Sequence, residues 1–329
     1  MPHADDSDEV QDIAPAGVEL RHLQVGLQMH GQRLDKVLVL VAPEFSRNYL
    51  QQLIDAGSVC VNGAQAYKQA AKLKAGDTLQ LELRPTAQSQ AFVPQAMDLK
   101  VVYQDAQVYV VDKPAGLVVH PAPGHWSGTL LNGLLAMDPA LVAVPRAGIV
   151  HRLDKDTSGL MVVARTRHAM DALVRAMASR SVRRQYLALV PSPWRAHATQ
   201  TVNAPIGRDP RNRLRMAVVD LANAPGKTAQ TDVHLLGQTS QGCLVQCVLH
   251  TGRTHQIRVH MASLGHPLLG DSVYGGPVVP GLARQALHAF SLAFAHPVTG
   301  QPLAFQSPLP RDLAALLADW GLRYNAQPI

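Results

Sequence analysis

The chain reads as an α+β protein in two parts, on three observations. Short apolar, strand-like runs and amphipathic helical stretches are mixed along it without the regular strand–helix–strand alternation of a parallel α/β fold. Residues 85–97, RPTAQSQAFVPQA, hold two prolines and small polar residues with no hydrophobic period, as a linker does. With 329 residues, 47% hydrophobic and 16% charged, the chain can build a sizeable core on each side of that linker.

In chain order, residues 1–20 are acidic with no apolar period and are expected to be a disordered tail. Residues 31–84 form a compact unit. Leu34, Val37, Leu38 and Val41 recur at helical spacing, and Ser46 starts a second helix that carries Tyr49, Leu50, Leu53 and Ile54 on one face and stops at Gly57. Strands are predicted at Val59–Val61 and Thr78–Leu83, with a hairpin turn at Asn62-Gly63. The large domain spans 98–325. Val101–Tyr103 and Val108–Val111 read as strands paired around Asp105, followed by a break at 112–116 and extended chain over Leu117–His120. Helices are predicted over Leu130–Met137, behind Thr129, over Arg167–Ser179 and over Arg311–Trp320. Further strands are expected at Arg183–Val190, Thr231–Leu236, Leu244–Leu249, Leu287–Phe294 and Leu303–Phe305.

Composition excludes several classes. No apolar run approaches a membrane span, and no apolar block follows Met1, so a cytoplasmic protein without a membrane partner is expected. Cys243 and Cys247 lie about 13 Å apart along one strand, too far for a disulfide. With Cys60 they read as reduced core thiols. The net charge is +6, but residues 1–20 hold six of the 24 acids and no Lys or Arg, which leaves 30 basic against 18 acidic residues and +12 on the rest. That excess favours a polyanionic partner. Residues 207–215, GRDPRNRLR, hold four arginines, among them Arg208, Arg211 and Arg213. They read as a loop whose guanidinium groups suit RNA phosphates, against a plain solvated loop.

The chain is organised around Gly148–Ala164, GIVHRLDKDTSGLMVVA. Apolar runs at Gly148–Val150 and Leu160–Ala164 flank His151, Arg152, Asp154, Lys155, Asp156, Thr157 and Ser158. So many polar groups in one short span each need a partner. A polar loop held between two core strands meets that need and is a common setting for a reactive group. A structural turn is the plainer alternative.

Residues His151-Arg152-Leu153-Asp154 with Thr157-Ser158-Gly159 resemble the signature of the RluA superfamily of RNA pseudouridine synthases. Lys113-Pro114-Ala115-Gly116, Tyr186 and the run Thr251–His260 match in the family's order, so the resemblance covers roughly residues 20 to 320. It implies a central, mixed, largely antiparallel sheet with flanking helices and a cleft across its middle. The unit at 31–84, with Arg33, Lys36 and Arg47 on its helices, resembles the alpha-L RNA-binding module of ribosomal protein S four. Phosphate contacts there would position RNA without reading its sequence.

The resemblance also implies a chemistry. The glycosidic bond of a uridine breaks, the base turns, and a ring carbon joins the same sugar, with no metal or other cofactor. Asp154 matches the essential aspartate, Arg258 the arginine that pairs with it, and Tyr186 the active-site tyrosine. Arg152 matches the residue that helps to expel the target nucleotide from its helix. His151, Arg253 and His255 are motif positions expected to face RNA. His250, His255 and His260 do not read as a metal site, because a five-residue spacing turns each about 140° from the last on a helix. If Thr254–Leu264 is helical, Thr254, Arg258 and Met261 share a face.

Flanking residues resemble the RluD-type branch: Val118-Val119-His120-Pro121, Gly128–Asn132, Pro145-Arg146-Ala147 and Gly270-Asp271. That branch acts on the helix 69 loop of large-subunit (23S) ribosomal RNA, which becomes the expected partner, with no obligatory protein partner evident. Another ribosomal or transfer RNA site, a catalytically silent assembly factor and a base-releasing glycosidase are the alternatives. The last would need a second carboxylate to handle water. Asp156 is at hand but matches only a framework position.

Overall fold

The computed structural model describes residues 19–83, 91–122, 125–212, 215–322 and 324. Most of the acidic tail, part of the linker stretch and Arg213 lie outside the described residues. The chain divides into two compact units, Met1–Ala91 and Phe92–Ile329, and the division falls at a sequence position inside the stretch read as linker. Among the described residues no helix is long and apolar enough to cross a membrane.

The first unit contains β1 (Glu19–Gln24), α1 (Leu34–Val41), α2 (Arg47–Asp55), β2 (Val59–Val61), β3 (Ala64–Gln65) and β4 (Thr78–Leu83). Its four strands form an antiparallel sheet in the order β1-β4-β2-β3. The unit therefore starts before residue 31: Glu19 and Leu20, assigned to the tail, pair with Leu83 and Glu82. Leu34, Val37 and Leu38 of α1 and Leu50, Leu53 and Ile54 of α2 bury against Val59, Leu79 and Leu81. Ser46 caps α2 by accepting from the Tyr49 N–H at 3.2 Å. Asn62 and Gly63 both take positive φ, 52° and 77°, as a tight hairpin turn demands.

The second unit runs β5 (Lys100–Gln104), β6 (Val108–Lys113), α3 (Leu130–Met137), β7 (Ser158–Ala164), α4 (Arg167–Ala178), β8 (Arg183–Val190), β9 (Thr199–Asn203), β10 (Ile206–Arg208), β11 (Met216–Val218) and β12 (Gly226–Lys227). It continues with β13 (Gln230–Gln238), β14 (Cys243–Leu249), α5 (Gln256–Ser263), β15 (Leu287–Ala295), β16 (Pro302–Gln306) and α6 (Arg311–Asp319). Nine strands make the main sheet, in the order β5-β6-β7-β15-β8-β14-β13-β9, with β16 also on β15. Among the described residues only β7 and β15 pair in parallel, so the sheet is mixed and largely antiparallel. The buried strands β7 and β8 put one set of side chains into a core with α3 and α5. The other face of the sheet packs on α4 at one end and α6 at the other.

Four sequence expectations need correction. Leu117–His120 is a loop, not an extended strand, because the carbonyls of Val118 and Val119 accept the first N–H groups of α3 at 2.8 and 3.2 Å. Gly148–Val150 is not a strand either. Pro145–Gly148 turns as a short 3-10 segment, and only Ile149 bridges to Val163. Gly148 sits at φ +77°, where a Cβ would lie 1.8 Å from the Ala164 carbonyl, so only glycine passes. Residues 93–97 are not a free linker. Asn132 Nδ2 donates to the Val93 carbonyl at 2.9 Å, and the Gln95 N–H donates to the Asn132 carbonyl at 3.0 Å. Finally, the arginine-rich stretch is partly structured, since Gly207 and Arg208 belong to β10 of a three-stranded sheet, β11-β10-β12. Cys243 and Cys247 are buried free thiols, while Cys60 is only half-buried.

Candidate active site

The loop 151–157 leaves the 3-10 turn and enters β7. It is held by its own carbonyls rather than by strand pairing. The Asp154 carbonyl accepts from Thr157 N–H at 3.1 Å and the Lys155 carbonyl from Gly116 N–H at 2.9 Å. Lys113, 1% exposed, reaches under the loop. Its Nζ donates to the carbonyls of Pro114, Leu117 and Lys155 at 2.8, 2.9 and 2.9 Å. Burial pushes the Lys113 pKa down to about 7, and Asp156 and Asp154 pull it back up in part. Arg284 donates to the Asp156 carbonyl at 3.0 Å and is itself clamped by both oxygens of Asp312 on α6 at 2.7 and 3.0 Å. Gly159, at φ +118°, lets β7 close on β15, since a Cβ there would sit 2.2 Å from the Ala289 carbonyl.

Asp154 is thereby presented at a cleft whose walls include Arg152, Leu153, Arg184, Tyr186, His255 and Arg258. Arg258 NH1 donates to Asp154 Oδ2 at 3.2 Å. The same guanidinium donates from Nε and NH2 to the two oxygens of Asp271 at 2.7 and 2.9 Å, and its plane lies 5.0 Å from the Tyr274 ring. Burial disfavours the Arg258 charge, but Asp271 and then Asp154 more than offset it, so its pKa is raised. His255 holds φ +56° at the start of α5, so the helix begins at Gln256 rather than at Thr254. Its Nδ1 is 2.8 Å from the Tyr274 hydroxyl, and its Nε2 is 4.0 Å from Asp154 Oδ1. Burial lowers the pKa of His255, while Asp154 acts in the opposite sense.

Gln256 fixes the start of α5. Its side-chain oxygen accepts from Thr251 Oγ1 and Arg253 N–H at 2.7 and 2.9 Å, and its amide donates to the Gln230 carbonyl and Thr231 Oγ1, both at 2.9 Å. All four of its hydrogen-bonding positions are used inside the protein. One turn on, His260 bonds Thr231 and the Ala204 carbonyl, both at 2.9 Å. His250 bonds Asp232 at 2.6 Å. Each of these histidines therefore has its own separate partner.

Tyr186 stands on β8 with its ring in the core, 4% exposed, and its hydroxyl has no hydrogen-bond partner among the described residues. Burial pushes its pKa up to about 12, against the opposing charge of Arg184. Arg152 is exposed at the cleft rim. Arg253 is half-buried, its Nε donating to the Thr228 carbonyl at 3.0 Å. His151 is turned inward: Nε2 accepts from Val162 N–H at 3.1 Å, Nδ1 is shut off from solvent, and burial lowers its pKa to about 3. It packs the loop against β7 and carries no charge for a phosphate. His255 likewise faces Asp154 rather than an outer phosphate-binding surface.

In the first unit Arg33 and Arg47 converge on the buried Asp35, at 3.0 and 2.7 Å, and Lys36 is exposed beside them. Arg208 and Arg211 are exposed around β10, where Arg215 lies over Tyr274 at 5.4 Å. Sequence reasoning missed Asp271, Lys113, Arg284 and Arg184 as neighbours of the site. Gly270-Asp271 and Lys113-Pro114 were visible as motif residues, but no spacing rule ties either to Asp154.

Comparison with known proteins matches this architecture. Residues 107–263 match the RNA pseudouridylate synthase family and residues 32–79 the S4 domain. The chain belongs to the RNA pseudouridine synthase family, enzymes that isomerise uridine within RNA. It is 48% identical over 311 residues to ribosomal large subunit pseudouridine synthase D of Neisseria meningitidis serogroup B, covering 90% of this chain and 80% of that one. Over 301 residues it is 48% identical to the protein of the same name from Xylella fastidiosa, covering 88% of each. Among solved structures it is similar to human RNA pseudouridylate synthase domain containing 1, with a TM-score of 0.54 and 28% identity, covering 70% of this chain and 91% of that one.

Proposed function

We propose that this enzyme converts uridines of large-subunit (23S) ribosomal RNA to pseudouridine, in the helix 69 loop, with Asp154 as the essential carboxylate. The observation that carries the reading is the placement of Asp154: a loop-held carboxylate, partly buried at a cleft, tied by one hydrogen bond to a guanidinium that Asp271 already holds. The names of the relatives at 48% identity supply the ribosomal substrate.

In this reading a uridine leaves its stack, with Arg152 at the rim taking part in its expulsion, and its base lies against Tyr186. The bond between the anomeric carbon and the ring nitrogen breaks, the uracil turns, and its C5 bonds to the same sugar carbon. The C5 proton then leaves and the freed ring nitrogen N1 ends protonated, so atoms balance without an outside reactant. Asp154 acts on the sugar, either by adding to the anomeric carbon or by removing the neighbouring sugar proton. Arg258 keeps that carboxylate aimed through its 3.2 Å hydrogen bond. With its pKa raised to about 12, Tyr186 serves as a ring to stack on and as a neutral hydroxyl rather than as a phenolate. The first unit adds phosphate contacts through Arg33, Lys36 and Arg47, and Arg208, Arg211, Arg213 and Arg253 add more in the second. The protein works in the cytoplasm on ribosomal RNA and needs no obligatory protein partner.

The test is incubation with large-subunit rRNA transcript and with an isolated helix 69 stem-loop, followed by mass spectrometry of nuclease fragments. Pseudouridine in the helix 69 loop without free uracil is the expected result. Modification only elsewhere would overturn the site, and release of uracil would replace the isomerase by a glycosidase.

A further inference from the structure

Beside the Asp154 cleft lies a second one, walled by Arg146, Arg152, Arg180, Arg184 and Arg253, with no Asp or Glu among its lining residues. Arg152, Arg184 and Arg253 line both clefts. Arg184 is the unusual member. It is 8% exposed, its Nε is shut off from solvent without a hydrogen-bond partner, and its guanidinium makes no ion pair among the described residues. By contrast Arg258 and Arg284, with side chains 7% and 9% exposed, are paired, the first with Asp154 and Asp271 and the second with Asp312. A buried guanidinium without an anion is costly. Arg184 and Tyr186 are two residues apart on β8, so both side chains leave the same face of the strand. Gly252 leaves room for it: a Cβ there would sit 2.7 Å from Arg184 NH1.

We propose that the basic cleft is a subsite for an RNA phosphate, and that Arg184 holds the phosphodiester adjoining the nucleotide whose base lies against Tyr186. This rests on the pseudouridine synthase reading of the Asp154 cleft. Arg184 is then a substrate-positioning residue that fixes the sugar between a held phosphate and a held base. A guanidinium is suited to this role because its fork matches two phosphate oxygens. The arginines around it extend the same field to neighbouring phosphates.

The experiment compares wild type, Arg184→Lys and Arg184→Met on two probes. In the first, binding of uridine, uridine 5′-monophosphate and uridine 3′-monophosphate is measured by protein-observed NMR. Wild type should bind one of the nucleotides at least tenfold more tightly than the nucleoside, Arg184→Met should show no such gain, and Arg184→Lys should keep part of it. In the second, the stem-loop carries a single neutral methylphosphonate linkage next to the target uridine. The neutral linkage should lower kcat/KM about tenfold in wild type and less than twofold in Arg184→Met, because the contact is already gone. A merely structural arginine would give the same penalty in both proteins. Equal binding of nucleoside and nucleotides by wild type, or a phosphate-dependent gain retained by Arg184→Met, overturns the assignment. If wild type makes no pseudouridine in any transcript, the functional reading fails, and nucleotide binding alone decides the phosphate subsite. If Arg184→Met does not fold, Arg184→Lys carries both comparisons: a phosphate gain and a linkage penalty that are both reduced from wild type support the subsite, and values equal to wild type refute it.

Discussion

Arg258 is held more firmly by Asp271 than by Asp154. Two hydrogen bonds of 2.7 and 2.9 Å tie it to Asp271, whose side chain is fully buried, and one of 3.2 Å reaches Asp154. The second aspartate thus orients the arginine, and the arginine in turn orients the first.

Replacing Asp271 with Ala should therefore hurt twice. Removing one partner of a buried pair leaves an uncompensated charge and typically costs about 3–5 kcal/mol. Arg258 would also swing, and kcat should fall roughly 10–100-fold, the scale seen when an orienting partner is lost. Urea denaturation and single-turnover kinetics check both. Wild-type stability with wild-type kcat would show that Asp271 holds nothing that matters.

Lys113 ties the loop from beneath. Lys113→Met keeps the aliphatic stem but strips three carbonyls of a donor, which should cost about 1–3 kcal/mol for each carbonyl left without a partner. Activity should fall more than RNA affinity, because Asp154 is displaced while the phosphate contacts remain. Parallel filter binding and pseudouridine assays give that ratio, and equal losses in both would contradict the loop-holding role.

Acid should unfold the large unit early. Burial lowers the pKa of His120 to about 4 and of His151 to about 3, and also lowers those of His260, His266 and His288. Unfolding restores values near 6.5, so below that pH the unfolded chain takes up protons that the folded chain refuses. Stability is fully present above about pH 6.5 and falls as pH drops toward the folded values. At pH 5 a fully shifted histidine withdraws about 2 kcal/mol. Tm should decline steadily from pH 7 to pH 5, and His151→Gln, which keeps an acceptor for the Val162 N–H, should flatten the slope. A Tm independent of pH over that range would refute the assignment of neutral, buried histidines.

In the first unit, Arg33 and Arg47 share Asp35, whereas Lys36 stands exposed beside them. Lys36→Ala should weaken RNA binding modestly and reduce its salt slope by about one contact, with no change in kcat. An unchanged slope would mean that this face does not meet the RNA.

Much of this was legible in the chain because it rests on local signals. The start of α2 at Ser46, the turn at Asn62-Gly63 and the strand Arg183–Val190 follow from capping, turn chemistry and apolar pattern, and all lie where those signals put them. The polar run 151–158 between apolar flanks drew notice by composition, but within it Asp154 was singled out only by its match to the family signature. What could not be read was long-range. Strands β9 to β12 are short, and most of their residues are exposed or half-buried, so they show no hydrophobic period. The pairing of Arg258 with Asp271 depends on how α5 lies against the following loop, and His151 looks like a surface group until the backbone of β7 is placed beside it.

If one carboxylate does the chemistry, Asp154→Asn removes it. The amide keeps the shape but loses the charge and the nucleophilic or basic oxygen. The variant should bind large-subunit rRNA transcript within about threefold of wild type, since phosphate contacts supply most of the affinity. Combining it with Arg258→Ala should cost little more than either change alone, as groups acting as one unit are not additive. The decisive measurement is pseudouridine per transcript by mass spectrometry, after long incubation at high enzyme with protein from a host lacking its own synthase. Asp154→Asn should give none, and substantial product from that protein would place the chemistry on another residue.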